Sequence, residues 1–561
     1  MSKVALYLET ARHLNPKQVT MRIWRSLGGK TCLPGWTFHE VDFAAANASR
    51  VPVLPELDFD PAFLTRFDAD AIMSGRLDLL HVAVDVDWAS PIFWRAEAQA
   101  PLWRFNLHYH EYLLPLAKQY LVTGSSDYIK VAKRIVYGWI DANPCSAGGP
   151  GWDPYTISMR VVNWIALRAE CSDAFIGDHL FCERMDSSLA EQASFLASHM
   201  ECDILANHYL EECKALVLLG VFLSDWEMLS LATKELELQV REQVYPDGGH
   251  FELSPMYQKI VLEDLLRVAV ALRAVGKPSQ SIEDAVSRMC DFAWSLERGL
   301  SRTPLFNDSG DNVAKSLQSL LACARHSLGI EPQFCASFPD SGFEVLESSD
   351  DRIKCIFKTG RANPPVAMAH MHCDALSFEL FLDGKPVIEN CGTFVYQGDL
   401  RPWFRSTAAS TGVSVGGCEQ HECWSQFRVA RYGNGGAVQR SENCVVARFA
   451  DYKGNESIRR IKFSANRVII ETTATDQGHL SCCYHLAQGL SCNLTHGEPA
   501  VYLIPEAEIT VHVEGAASSS TNVVQAWRSS DFGVLGRGQS LVVESCARQT
   551  VIFDFFQRGV E

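Results

Sequence analysis

The spacing of apolar residues changes once along this chain, and that change limits the possible folds more than any motif does. From residue 101 to about 329, apolar residues recur at three- and four-residue intervals, as on the buried face of a helix. Nine segments show it: 113–121, 129–142, 158–169, 189–205, 210–223, 227–244, 257–275, 282–296 and 315–328. Past about residue 340 the interval becomes two, in segments 366–369, 376–382, 413–415, 458–463, 467–471, 500–503, 509–513 and 551–555. Helices followed by strands, segregated along the chain, predict an α+β protein: an α domain, then an antiparallel β-sandwich, not a doubly wound sheet. Eight or more antiparallel helices fit a bundle, a solenoid or a closed toroid, and no fixed-period repeat favours the solenoid. The 561 residues are too many for one ordinary core. Three parts are expected: an extension at 1–100 packing on the helices, a helical domain at 101–335 and the sandwich at 336–561.

Within the extension, 7–27 reads as one amphipathic surface helix with Arg12, Lys17, Arg22 and Arg25 on its polar face. Residues 52–70, rich in Pro, Asp and Phe, read as extended chain, and 77–94 as short strands. The first residues lack the apolar core and cleavage site of a signal peptide. No window approaches the roughly 18 apolar residues of a membrane span. Nineteen cysteines are scattered without CxxC pairs, so reduced thiols in a cytoplasmic protein are expected. Fifty basic against 67 acidic residues give a net charge of −17, which argues against a general nucleic-acid binder. Any site for a polyanion must therefore be locally basic.

The residues that could do chemistry lie at loop edges. In the run His370-Met371-His372-Cys373-Asp374, an extended chain would put His370, His372 and Asp374 on one face. Such a cluster is either a site or a well-bonded structural corner. Four further clusters combine polar and aromatic residues: 103–112 with His108, 151–164 with Tyr155 and Arg160, 207–211, and 250–257. Asn207 reads as a helix N-cap, His208 and Glu211 as a local pair on that helix, and Ser254-Pro255 as an N-cap followed by proline at the first helical position.

Taken together these segments resemble the heparinase II/III-type polysaccharide lyases. The resemblance rests on Asn207-His208 with Glu211, on Ser254-Pro255-Met256-Tyr257, and on His370-x-His372-x-Asp374-x-x-Ser377-Phe378. Asn390-Cys391-Gly392-Thr393-Phe394-Val395-Tyr396 and Arg405-Ser406-Thr407-Ala408-Ala409 are similar to two later segments of the family. The likeness covers about residues 100–430 and implies an incomplete (α/α) toroid followed by an antiparallel β-sandwich. It also implies β-elimination on a uronic-acid-containing glycan: the C5 proton, next to a carboxylate, leaves only once that carboxylate is neutralised. Carried over by motif, Asn207 and His208 would grip the carboxylate, Tyr257 would be base or acid, and His370 its partner across the cleft. His108, Tyr155, Arg160, Glu211, His372 and Arg405 would line the groove.

The partner implied is an acidic polysaccharide, and a bacterial origin with a role in capsule or exopolysaccharide metabolism is expected. Some relatives hold a structural zinc through the second His of His-x-His, an Asp and a later His. Here Asn390 and Ser410 stand at the last two positions, and neutral Asn and Ser are poor zinc ligands, so no metal is expected to be required. Two alternatives stay open: a uronyl C5-epimerase, which shares the first proton transfer, and a non-catalytic glycan-binding or assembly protein.

Overall fold

The computed structural model describes residues 2–556 except 38, 312, 465, 476–477, 498–499 and 516–519. Between residues 101 and 330 the chain forms a double layer of helices. Pro154–Glu170, Ala206–Leu223 and Pro255–Ala274 are buried on nearly every side and form the inner layer. The helices around them are amphipathic. Ser126–Ala142 buries Ile129, Ala132, Ile135, Val136 and Trp139, and Gln280–Glu297 buries Ile282, Ala285, Val286, Met289, Cys290, Ala293 and Leu296. A helix apolar all round belongs inside and one with a single stripe belongs outside, so the sequence sorts the layers of the toroid by itself. Gly220 lets the inner helix Ala206–Leu223 touch its outer neighbour Trp226–Gln243: a Cβ there would sit 2.8 Å from the backbone nitrogen of Leu229.

The second half is a sandwich. One face is an eight-stranded antiparallel sheet ordered Asn434–Ser441, Cys444–Ala450, Glu456–Ser464, Arg467–Ala474, Arg548–Phe555, Ile509–Glu514, Ala500–Ile504, Asn493–Gly497. The other is built from a four-stranded and a five-stranded sheet, bridged where Ile388 pairs with Leu486. Alternate residues point inward, as period-two strands require: Val468 and Ile470 meet Val551, Phe553, Leu480, Cys482, Phe378 and Leu380 in one core. A separate apolar cluster, with Leu253, Phe292, Leu296 and Phe306 on the helical side and Phe338, Phe343, Ile356 and Phe381 on the sheet side, fixes the two halves to each other.

The extension differs from expectation in each of its parts. The segment 7–27 is two helices, Lys3–Ala11 and Pro16–Ser26, because Asn15 and Gln18 form a capping box and Pro16 opens the second. The extended chain expected at 52–70 contains the short helices Pro55–Asp58 and Pro61–Leu64, each begun by its proline, followed by Ala69–Met73. The hairpin Arg76–Leu79 and Val82–Asp85 does form, but Pro91–Arg95 is helical. The extension touches both halves. Trp424 Nε1 donates to Thr10 Oγ1 at 2.9 Å and His13 Nε2 lies 2.6 Å from the carbonyl of Ala430, while Gln18 donates to the carbonyl of Ile204.

Three other segments depart from the periodicity. The helix expected at 189–205 ends at Ala197, and the chain reverses through Leu205 and Ala206, both at positive φ. The helix expected at 315–328 ends at Cys323 and closes with one π-helical turn, Ala324–Leu328. The strand expected at 366–369 is a 3-10 helix, Pro365–His370. Pro364 and Pro365 bring fixed φ angles and no N–H groups to its start, which suits a helical turn and denies a ladder its donors.

Candidate active site

Asp308 is the hub. It stands in the connection between the two halves and is fully buried. Its carboxylate accepts both terminal nitrogens of Arg401, one of them at 2.7 Å. It also accepts from His370 Nδ1 at 2.9 Å, His372 Nε2 at 2.7 Å and Thr393 Oγ1 at 3.2 Å. Burial alone would raise its pKa, but the Arg401 guanidinium and the two imidazoles hold it well below the usual carboxylate range. An ionised carboxylate can only accept, so His370 carries a proton on Nδ1, which leaves Nε2 as the ring nitrogen available for proton exchange. The two histidines do converge on one carboxylate, but not from one face of a strand. Asp374 is not part of this group: it pairs with buried Lys358 and accepts the backbone N–H of Asn307.

Tyr257 comes from the helical side. Ser254 caps its helix by accepting the Tyr257 N–H at 3.3 Å, with Pro255 in the first helical position as the sequence predicts. The same hydroxyl donates to the Asp308 carbonyl at 2.7 Å, so the cap that places Tyr257 also fixes the hub. The Tyr257 ring centre lies 4.4 Å from that of His370, and its hydroxyl lies 2.9 Å from the hydroxyl of Tyr396. Burial, followed by the Tyr396 hydroxyl and Glu252, pushes the Tyr257 phenol well above 10, so it rests protonated and can donate. The His370 ring and a hydroxyl donor are thus neighbours.

Asn207 and His208 open the helix Ala206–Leu223, whose N-cap is Leu205 and not Asn207. His208 does not pair with Glu211. Its Nδ1 lies 2.9 Å from Glu201 and its ring 4.4 Å from that of Tyr155. Burial pulls its pKa down, but the bond to Glu201 and that carboxylate's charge outweigh burial and leave it raised. Glu252 is buried with neither oxygen in a hydrogen bond of ordinary geometry, and it faces both His208 and His370. Burial raises its pKa as well.

Tyr155, Glu211, Tyr257 and Tyr396 line one cavity of about 150 Å³ that runs into the toroid. Glu211 is there as the ion-pair partner of Lys214. The other residues read as lining a groove are interior instead. His108 is 2% exposed and accepts from Trp139 Nε1 through Nδ1 at 3.0 Å, with burial lowering its pKa to about 3. Arg160 is packed over the Trp139 ring at 3.8 Å and donates to Gln192 and to the His108 carbonyl. Arg405 donates to the carbonyls of Met371, Gln426 and Met368, and so holds the turn that carries His370. His372 is 6% exposed and committed to Asp308. The zinc positions do not fit a metal: Asn390 Oδ1 accepts the Thr411 N–H and Ser410 Oγ donates to the Cys373 carbonyl. No group of three or more His, Cys, Asp or Glu among the described residues is arranged to hold an ion.

Sequence reasoning missed Asp308, Arg401 and Glu252, and it gave Tyr396 no role. The signal available was the polar run Asn307-Asp308-Ser309-Gly310-Asp311 directly after apolar Leu305-Phe306.

Two adjoining domain families match the chain: Heparinase II/III N-terminus over residues 71–327 and Heparinase II/III-like, C-terminal, over 332–552. The chain belongs to the heparinase II/III family. A crystal structure of heparinase III superposes with a TM-score of 0.65 at 17% identity, covering 98% of this chain and 93% of that one. That likeness to a heparinase II/III fold agrees with the toroid and sandwich described above. A heparin-sulfate lyase of Pedobacter heparinus is 25% identical over 349 residues, and the match spans 56% of this chain and about half, 52%, of the relative. The FtsZ-localized protein C of Caulobacter vibrioides is 27% identical over 393 residues, 67% of this chain and 62% of that protein.

Proposed function

We propose that the protein is a polysaccharide lyase that cleaves a uronic-acid-containing acidic glycan by β-elimination. The observation that carries this reading is the neighbouring pair of His370, whose Nδ1 is held by Asp308, and Tyr257, with a protonated hydroxyl. The uronate carboxylate lies against Asn207 and the His208 ring, whose protonated form Glu201 favours, and these donors neutralise it and make the C5 proton acidic. His370 Nε2 takes that proton. The C5–H electron pair becomes the C4–C5 double bond, the C4–O4 bond breaks, and Tyr257 gives its proton to O4. The products are an unsaturated uronate and a new hydroxyl end. The proton on His370 then returns to Tyr257 through solvent or the Tyr396 hydroxyl. The name of the Pedobacter relative makes heparan sulfate the first substrate to try.

The test is ultraviolet absorbance of the unsaturated uronate on a panel of uronate polymers. Tyr257→Phe is expected to abolish that signal and move the thermal midpoint little, since one neutral hydrogen bond is worth about 1 kcal/mol. Full activity of the variant refutes the role given to Tyr257. Deuterium uptake at C5 without absorbance identifies an epimerase instead. A second reading, binding or assembly without turnover, draws support from the relative named for its localisation with FtsZ. Binding without either signal would establish it.

A further inference from the structure

The cavity behind Tyr257 is walled off at its far side, and the wall comes from the N-terminal extension. Phe63 and Arg66 line it, with Leu80 from the tip of the hairpin Arg76–Leu79 and Val82–Asp85. Across from that tip stands Phe532, in the loop before the strand Gly536–Cys546 of the β half. The tip touches this loop directly. His81 Nε2 lies 3.4 Å from Asp531, and a Cβ added to Gly533 would meet the Leu80 carbonyl at 3.1 Å. The hairpin therefore bridges the helical and β halves on this side of Tyr257, where a groove would otherwise run on between them. On the other side His208 is partly open, with 37% of its side chain exposed.

The cavity is short, about 150 Å³ ending at this wall, which suits the end of a chain and not a continuing one. Three of the cations around it are each in contact with carboxylates: Lys214 pairs with Glu211 and Asp264, Arg267 with Asp58 and Glu263, and Arg66 with Glu111. Lys315 differs. It is 3% exposed, lies 3.1 Å from the centre of the Phe63 ring, and makes no ion pair within 4 Å among the described residues. Burial lowers its pKa, Glu263, Glu111 and Asp58 act on it only from beyond ion-pair distance, and an anion brought into contact with it would favour its charged form.

We infer that this pocket receives one terminal sugar residue bearing an anionic group, which Lys315 contacts, so that the protein engages its glycan from a chain end. The inference rests on the lyase reading for its chemistry, but it can be tested without turnover. The stoichiometry of Tyr257→Phe on heparan sulfate oligosaccharides of several defined lengths is measured by calorimetry. End-on engagement gives one protein per chain at every length. A stoichiometry that rises with length overturns it, and so does the absence of binding at any length. With the native protein, the expected result is small unsaturated products from the first minutes while the polymer peak keeps its size. A rapid fall in polymer size with rising absorbance leaves the lyase reading standing and refutes the end-on one. One protein per chain with no absorbance refutes the lyase reading and keeps this one. Leu80→Gly/His81→Gly removes the bridging side chains at two positions whose φ of 54° and 62° glycine accepts readily. It is expected to let more than one protein bind each long chain. Lys315→Met is expected to weaken binding of oligosaccharides with a charged terminal residue at least tenfold and to leave those with a neutral terminus unchanged. Equal weakening of both refutes the contact.

Discussion

Asp308→Asn tests the hub most directly, because it keeps the shape and removes the charge. The carboxylate accepts from four side chains, of which Arg401 is itself fully buried. Asparagine offers one carbonyl oxygen, and its amide must face a group that is already a donor. Leaving a buried guanidinium without its partner costs about 3–5 kcal/mol. At about 2–4 °C per kcal/mol for a cooperative unit of domain size, the thermal midpoint should fall by the order of 10 °C. The same change frees the His370 tautomer, so Nε2 no longer always holds the lone pair, and kcat should fall by about 10²–10⁴. His372→Gln is the control: it loses one bond to the hub, about 1–3 kcal/mol, and should keep most of kcat. Differential scanning fluorimetry and steady-state elimination kinetics read both quantities. The sign with pH is fixed by the depressed folded pKa of Asp308. Its contribution is present above the unfolded value near 3.9 and is lost on acidification below it. The wild-type midpoint should therefore drop below about pH 4 and the variant should lack that part of the drop. An unchanged midpoint together with an unchanged kcat would falsify the hub.

Glu201→Gln removes the carboxylate that raises His208, leaving burial to lower it. The pH above which KM rises should then move down, and an unmoved profile means His208 does not act as a cation. The stability from this pair has the opposite sign to that of Asp308: it is complete below about pH 6.5 and lost as pH rises through the raised folded pKa. Tyr396→Phe deletes the 2.9 Å contact to Tyr257 and should lower kcat roughly tenfold, about 1.4 kcal/mol, with KM unchanged. Arg405→Lys replaces a fork that reaches three carbonyls with a group that satisfies fewer, and should cost about 3 kcal/mol and lower kcat through the His370 turn. A midpoint equal to wild type in urea unfolding refutes that placement.

The toroid was legible because burial on one face or on all faces writes itself into apolar spacing, as in 282–296 against 257–275. Tyr257 was legible because its cap, Ser254-Pro255, is local. The segment 366–369 was not, since four apolar residues fit strand and helix equally and only the prolines before them favour a turn. Asp308 was hidden for another reason. Its partners His370, His372 and Arg401 lie 62, 64 and 93 residues away, and no local pattern records such a meeting. His108 and Arg160 misled because an arginine beside tryptophan looks the same in sequence whether the ring faces a sugar or the interior.

The contact between Thr10 and Trp424 spans 414 positions. At ribosomal rates of about 5–20 residues per second, the partner of the first helix emerges roughly 20–80 s after the helix itself. Until then Lys3–Ala11 lacks the pair of strands His421–Trp424 and Arg428–Tyr432 on which it rests. The helix Lys3–Ala11 thus settles late, on strands made after the whole helical half. Seating of that helix joins the two distant parts of the chain, which makes Trp424 fluorescence a natural clock for that step.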